Sequence, residues 1–240
     1  MILGDAQIEE GLRVYAIGDV HGCIEPLLQL LNLIEADLAE RPVARWKMIF
    51  LGDYIDRGPA NSQVLDHLIH LQHSDTDCVF LMGNHDERIS VFLREPDMVW
   101  DDVLRWGGAR TLEDYGIVIG AGESHYSLSK RFASAMPDSH KDFLRTLKRS
   151  YQVGDYFFCH AGVRPGTPIA KQTDHDLIWI RNDFLIHENP FEKVIVHGHT
   201  PVSIPEVKPN RINVDTCCYN SGILTAVILE QSDHRFIQTG

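Results

Sequence analysis

The sequence is short of basic residues: lysine plus arginine number 22 against 34 aspartate plus glutamate, a formal charge of −12. A chain with that balance does not replace the counterions around a nucleic-acid backbone, so no nucleic-acid partner is expected. A local basic site for one phosphate group remains compatible with it. No apolar run approaches the roughly 18 residues of a spanning helix, so no membrane partner is expected either. The first twenty residues contain Gly4, Asp5, Glu9 and Glu10, which is not a secretory leader. The five cysteines, Cys23, Cys78, Cys159, Cys217 and Cys218, form no CxxC spacing and are odd in number. They suggest a reducing, cytoplasmic setting rather than a disulfide framework. The adjacent pair Cys217-Cys218 reads as two small residues in a packed turn. Repeats and low-complexity tracts are absent.

What is present is ordinary globular composition, 44% hydrophobic and 23% charged over 240 residues, enough to bury one large core. Short apolar runs at 13–17, 47–51 and 78–82 read as strands, and helical spacing of Leu, Ile and Val at 25–38 and 62–71 separates them. Strand, helix, strand, helix, strand implies right-handed crossovers and a largely parallel, buried sheet. The stretch 87–150 reads as helical, broken at Gly107-Gly108 and between Gly116 and Glu123. Further strand-like runs come at 155–159, 193–196, 211–214 and 223–229. Their closer spacing suggests a second sheet packed on the first. The expectation is one α/β domain over 1–240, with two sheets, helices outside, and a helical insertion at about 87–150 over one edge.

The chemistry lies just past the strands. Gly18-Asp19-Val20-His21-Gly22, Gly52-Asp53-Tyr54-Ile55-Asp56-Arg57-Gly58, Gly83-Asn84-His85-Asp86, His160-Ala161-Gly162 and His197-Gly198-His199-Thr200 each succeed an apolar run. In open α/β sheets, sites form outside the carboxyl ends of strands. Five such ends bearing oxygen and imidazole ligands would converge on one place, a pattern that core packing does not need. Carboxylate plus imidazole without clustered thiolates favours Mn, Fe or Zn over a structural zinc site. Asp19, His21, Asp53, Asn84, His160 and His199 are too many ligands for one open ion and suit two that share a carboxylate. Paired ions about 3.5–4 Å apart serve in-line attack at phosphorus. Arg57 offers a forked clamp for phosphate oxygens. His85 is the candidate general acid for the leaving alkoxide, with Asp56 fixing its tautomer.

Other candidates read as structural. His67, His70 and His73 fall on or just past a helix and read as a solvated face. His125, His140, His175, His187 and His234 lie in polar stretches and read as surface. Asp101-Asp102 reads as a helix-start acidic pair, and Trp100 and Trp106 as packing residues. His197 reads as a neighbour of the site rather than a ligand.

On the five motifs, in this order, the sequence resembles the phosphoprotein phosphatase family of the calcineurin-like metallophosphoesterases, most closely its short bacterial and phage members. Ile178-Trp179-Ile180-Arg181 and Val214-Asp215-Thr216, followed by Gly222-x-Leu224-Thr225, add to the likeness. The resemblance implies a four-layered α-β-β-α sandwich of two mixed sheets. It implies one metal held by Asp19, His21 and Asp53 and a second by Asp53, Asn84, His160 and His199, with manganese first and iron or zinc as alternatives. It implies His85 as acid, Asp56 as its partner, and Arg57 and Arg181 as phosphate clamps, Arg181 on the likeness alone.

The implied activity is phosphomonoester hydrolysis by a metal-bridging hydroxide, on phosphoserine and phosphothreonine in proteins or on a small phosphoester. The alternative is symmetrical hydrolysis of dinucleoside polyphosphates by a sister branch, which tends to lack the acidic residue that stands here as Asp56. A non-enzymatic phosphate-binding module would be favoured by a missing ligand or acid, and none is missing. Three positions depart from relatives: Met82 stands where many have arginine, Cys217 where they often have glycine, and Asp86 where eukaryotic members have glutamate. Loss of the arginine removes a cation near the site, and a residue larger than glycine at 217 would reshape its wall.

Overall fold

A computed structural model describes residues 1–240. Its first half runs β1 (Leu12–Ile17), α1 (Ile24–Glu40), β2 (Arg45–Phe50), α2 (Asn61–Gln72), β3 (Cys78–Phe80). Five helices come next: α3 (Asn84–Phe92), α4 (Pro96–Arg105), α5 (Gly108–Asp114), α6 (His125–Ala135) and α7 (Asp138–Thr146). The second half runs β4 (Ser150–Val153), β5 (Tyr156–Cys159), α8 (Asp174–Trp179), α9 (Asn182–Leu185), β6 (Val194–His197), β7 (Glu206–Lys208), β8 (Arg211–Asn213), α10 (Cys218–Ser221), β9 (Thr225–Glu230) and β10 (Asp233–Gln238).

Two mixed five-stranded sheets result, in the orders β10-β9-β1-β2-β3 and β4-β5-β6-β8-β7. The pairs β1–β2 and β2–β3 are parallel, as are β5–β6 and β6–β8, so each sheet has a parallel centre. The two-residue alternation of side chains assigns the layers. Val14, Ala16, Ile49, Leu51, Tyr156, Phe158, Val194 and Val196 fill the space between the sheets. From the opposite face of the first sheet, Tyr15, Ile17, Met48 and Phe50 pack on Leu27 and Leu30 of α1, Val64 and Leu65 of α2, and Phe132 and Phe143 of the later helices. From the second sheet, Phe157, Cys159 and Ile195 pack on Leu177, Ile178 and Phe184. This is the expected α-β-β-α sandwich. Strands buried on both faces are continuously apolar, which makes the central ones legible in the sequence.

The unanticipated strands are β4, β7 and β10, all at sheet edges with polar or mixed sequences. Edge strands keep one side to solvent and carry charge against further pairing, so they lack the apolar signature. Three other expectations need correction. Asp101 and Asp102 lie within α4 rather than at its start, and Asp102 reaches the Arg88 guanidinium at 3.3 Å. His140 is buried, its ring held between the Tyr115 hydroxyl at Nδ1 (2.5 Å) and Asp66 Oδ1 at Nε2 (2.8 Å). His125 and His187 are half-buried, stacked on Trp100 and against Phe191. No helix is long and apolar enough to cross a membrane.

A candidate binuclear metal centre

The strand ends set the site. Asp19 and His21 follow β1, Asp53 follows β2, Asn84 opens α3 just after β3, His160 follows β5 and His199 follows β6. Seven non-glycine residues have positive φ, and six belong to this neighbourhood: His21, Asp53, Asp56, Arg57, His199 and Cys217. Left-handed backbone in bulky residues is costly and persists where surrounding structure imposes it. The glycines serve close approach. A Cβ on Gly83 would strike the Asp53 carboxylate, and one on Gly198 the Asp19 carboxylate. Cys217 is held left-handed too, with φ of 58°, a conformation that glycine would adopt at less cost.

Five of the six expected ligands meet through their side chains, and Asp19 joins them through the backbone of His199 while belonging to neither three-residue group. His21 Nε2 lies 3.5 Å from Asp53 Oδ2, and His160 Nε2 lies 3.3 Å from the same atom. Asn84 Oδ1 is 3.0 Å from His160 Nε2 and 2.7 Å from His199 Nδ1. Asp19 accepts the His199 backbone N–H at 3.1 Å. One ligand atom each from Asp53, His160 and His199 forms a group within 4.8 Å, and Asp53 shares a second such group with His21 and His85. Asp53 is thus common to both.

The donor set fits divalent cations, and the hydrogen bonding says why. His160 Nδ1 donates to Leu51 O at 3.0 Å and His21 Nδ1 to Ile55 O at 2.7 Å. That fixes both tautomers with a bare Nε2 turned inward. These lone pairs then face acceptor oxygens of Asp53 and Asn84, an arrangement that repels unless a cation or a proton lies among them. His199 Nε2 is also buried without a partner. Titration obeys the same logic. Burial opposes a charge on His160, yet Asp53 and Asp19 outweigh it and raise its pKa to about 9. Burial alone would raise Asp53, but His160 and His85 hold it well below the usual carboxylate range. Burial and the neighbouring Asp215 push Asp19 up. Burial depresses His21 and His199.

Beside this cluster sit the groups expected to handle substrate. His85 Nδ1 donates to Asp56 Oδ2 at 2.7 Å, and Asp56 Oδ1 accepts from the Thr111 hydroxyl at 2.5 Å. With Nδ1 protonated, His85 Nε2 accepts from Arg57 Nη2 at 3.1 Å. Arg181, at the start of α9, is exposed; its charge adds to burial and His160 in lowering His199. His197 is buried with Nδ1 toward its neighbour's carbonyl and belongs to neither ligand group, and burial lowers its pKa to about 3.

Several contributors escape a reading of the sequence. Asp86 accepts three backbone N–H groups, from Gly83 (2.9 Å), Asp53 (2.9 Å) and Tyr54 (3.1 Å), which fixes the ligand loop to the start of α3. Its only local signal is a carboxylate three residues past the helix N-cap, Gly83. Burial and Asp53 raise its pKa to about 7. Trp106 is more than packing: its ring lies 6.2 Å from that of His85, and its carbonyl accepts from Arg57 Nε at 3.4 Å. Thr111 and Tyr219 carry no motif, and Asp215 enters only through the family likeness. Met82 is buried in the core, with Arg149 Nη1 against its sulfur.

A family model described as "Calcineurin-like phosphoesterase" matches residues 12–228. The chain is similar to an asymmetrical bis(5′-nucleosyl)-tetraphosphatase, PrpE, of Anoxybacillus flavithermus, 28% identical over 88% of each chain. It is also similar to a symmetrical bis(5′-nucleosyl)-tetraphosphatase of Legionella pneumophila, 28% identical over 94% of this chain and 96% of that one. Among solved structures it shares its fold with a cold-active protein-tyrosine phosphatase of a psychrophilic Shewanella (TM-score 0.57, 17% identity, 97% of this chain and 83% of that one).

Proposed function

The chain belongs to the calcineurin-like phosphoesterase family, and from that we propose that it is a metal-dependent phosphomonoesterase acting on phosphoserine and phosphothreonine in proteins. Asp19, His21 and Asp53 would hold one divalent ion, and Asp53, Asn84, His160 and His199 the other. Such a pair supplies an acidified water and neutralises charge on the phosphoryl oxygens. The protein's own groups do the rest. Arg57 and Arg181 fork onto the non-bridging oxygens and set the phosphorus in line for attack. Once the phosphate engages Arg57 Nη2, His85 Nε2 is freed to carry the proton that the leaving oxygen takes. Asp56 stabilises the imidazolium that this requires.

The observation that carries this reading is the buried His85–Asp56 pair at 2.7 Å. An alkoxide leaving from serine or threonine is strongly basic and departs only with a proton. The phosphate released from an anhydride is weakly basic and needs no such acid. A second reading, hydrolysis of dinucleoside tetraphosphates, is supported by the names of the curated relatives. The test is a comparison of kcat/KM for a phosphothreonine peptide and for diadenosine tetraphosphate on one manganese-loaded sample. The first reading expects the peptide to be preferred. A tenfold or larger preference for the dinucleotide would replace it with the second.

A further inference from the structure

Arg57 is a charged side chain with no carboxylate partner among its contacts. Its Nε donates to Trp106 O at 3.4 Å, and its backbone N–H to Gly107 O at 3.3 Å. Gly107, with φ of +94°, lets that turn lie against Arg57, since a Cβ there would meet Arg57 Cγ at 3.0 Å. On its other side the guanidinium carbon stands 4.6 Å from the ring centroid of Tyr219. The same ring meets His21 edge-on at 5.4 Å.

Tyr219 comes from α10, far from Arg57 in sequence, and the turn carrying it is anchored. Cys217, left-handed, donates its N–H to Asp215 Oδ1 at 2.9 Å, and the Ser221 hydroxyl donates to Thr216 O at 2.7 Å. A carboxylate at this place would fix Arg57 but cancel the charge that a phosphate needs. An aromatic face attracts and orients a guanidinium through its quadrupole and leaves the charge available.

We propose that Tyr219 is the positioning residue for Arg57, holding the guanidinium over its ring so that the fork is preset for the phosphate group of the substrate. The inference rests on the reading of Arg57 as a phosphate clamp. The left-handed Cys217 starts the turn that delivers the ring.

The test measures binding of inorganic phosphate to the manganese-loaded protein by calorimetry, with metal content determined on each sample. Tyr219→Leu keeps bulk but removes the π face, and should weaken phosphate binding about 5- to 30-fold, the range set by a cation–π contact. Metal content should stay at the wild-type level. Tyr219→Phe keeps the face and should bind phosphate within about twofold of wild type. Adding Tyr219→Leu to Arg57→Ala should cost little more than Arg57→Ala alone, because the ring acts only through that side chain. Undiminished binding by Tyr219→Leu beside a weakened Arg57→Ala, or additive losses in the double variant, would overturn the proposal and leave the clamp reading standing. Loss of metal from Tyr219→Leu would also overturn it, by showing that the ring acts through His21. If Arg57→Ala itself binds phosphate normally, the clamp reading fails and the inference fails with it.

Discussion

His85 and Asp56 meet at 2.7 Å although 29 positions of chain separate them, and both are almost wholly buried. Asp56 sits on a left-handed backbone and is fixed at its other oxygen by Thr111 of α5. A buried imidazole with one nitrogen committed to a carboxylate can present its other nitrogen to a substrate in one tautomer.

That pairing predicts a dependence on leaving group. His85→Ala should lower turnover on alkyl phosphates by about 10²–10⁴, and by much less on aryl phosphates whose phenolate departs unaided. Asp56→Asn should show the same pattern with a smaller loss. Equal losses on the two ester classes would remove His85 from the acid role.

Chelation should abolish hydrolysis of an aryl phosphate, and added manganese should restore it. The inward-facing acceptor atoms of His21, His160, Asp53 and Asn84 call for cations. Full activity in excess chelator would remove the binuclear mechanism.

Asp86→Ala should both destabilise the fold and release metal. It strips a carboxylate from three buried N–H groups. The cost is about 3 kcal/mol if water satisfies part of the deficit. Urea unfolding and metal content are the measurements. Unchanged metal affinity would show that the Asp53 loop keeps its shape without that carboxylate.

A stability prediction concerns the far end of the first sheet. Asp37 of α1 accepts from Tyr15 (2.6 Å), from Arg13 (3.1 Å) and from both terminal nitrogens of Arg235 (2.5 and 2.9 Å). Burial alone would raise its pKa, but Arg235 and Tyr15 outweigh burial and lower it. A carboxyl depressed in the folded state stabilises fully above its unfolded value, near 3.9, and the gain is lost as pH falls through the folded value. Asp37→Asn should therefore cost about 3 kcal/mol at pH 7, and its deficit relative to wild type should shrink below pH 4. A deficit that persists at pH 2–3 would show that the network acts by packing rather than by charge.

The sequence by itself determined the central strands and the helices that separate them, and it pointed to six side chains at the strand ends. Each is a local property: an apolar run long enough for one strand, then a ligand with a glycine close by. It carried no information on the edge strands β4, β7 and β10, because an edge is defined by what fails to pair with it. Nor could it tell that His140 is buried, since the partners that allow burial, Tyr115 and Asp66, come from other helices. Tertiary structure alone decided that Asp86 would tie two ligand loops together, that Thr111 would hold Asp56, and that Tyr219 would stand over Arg57. Those relations arise when segments 30 to 160 residues apart share one wall, and no spacing along the chain encodes that proximity.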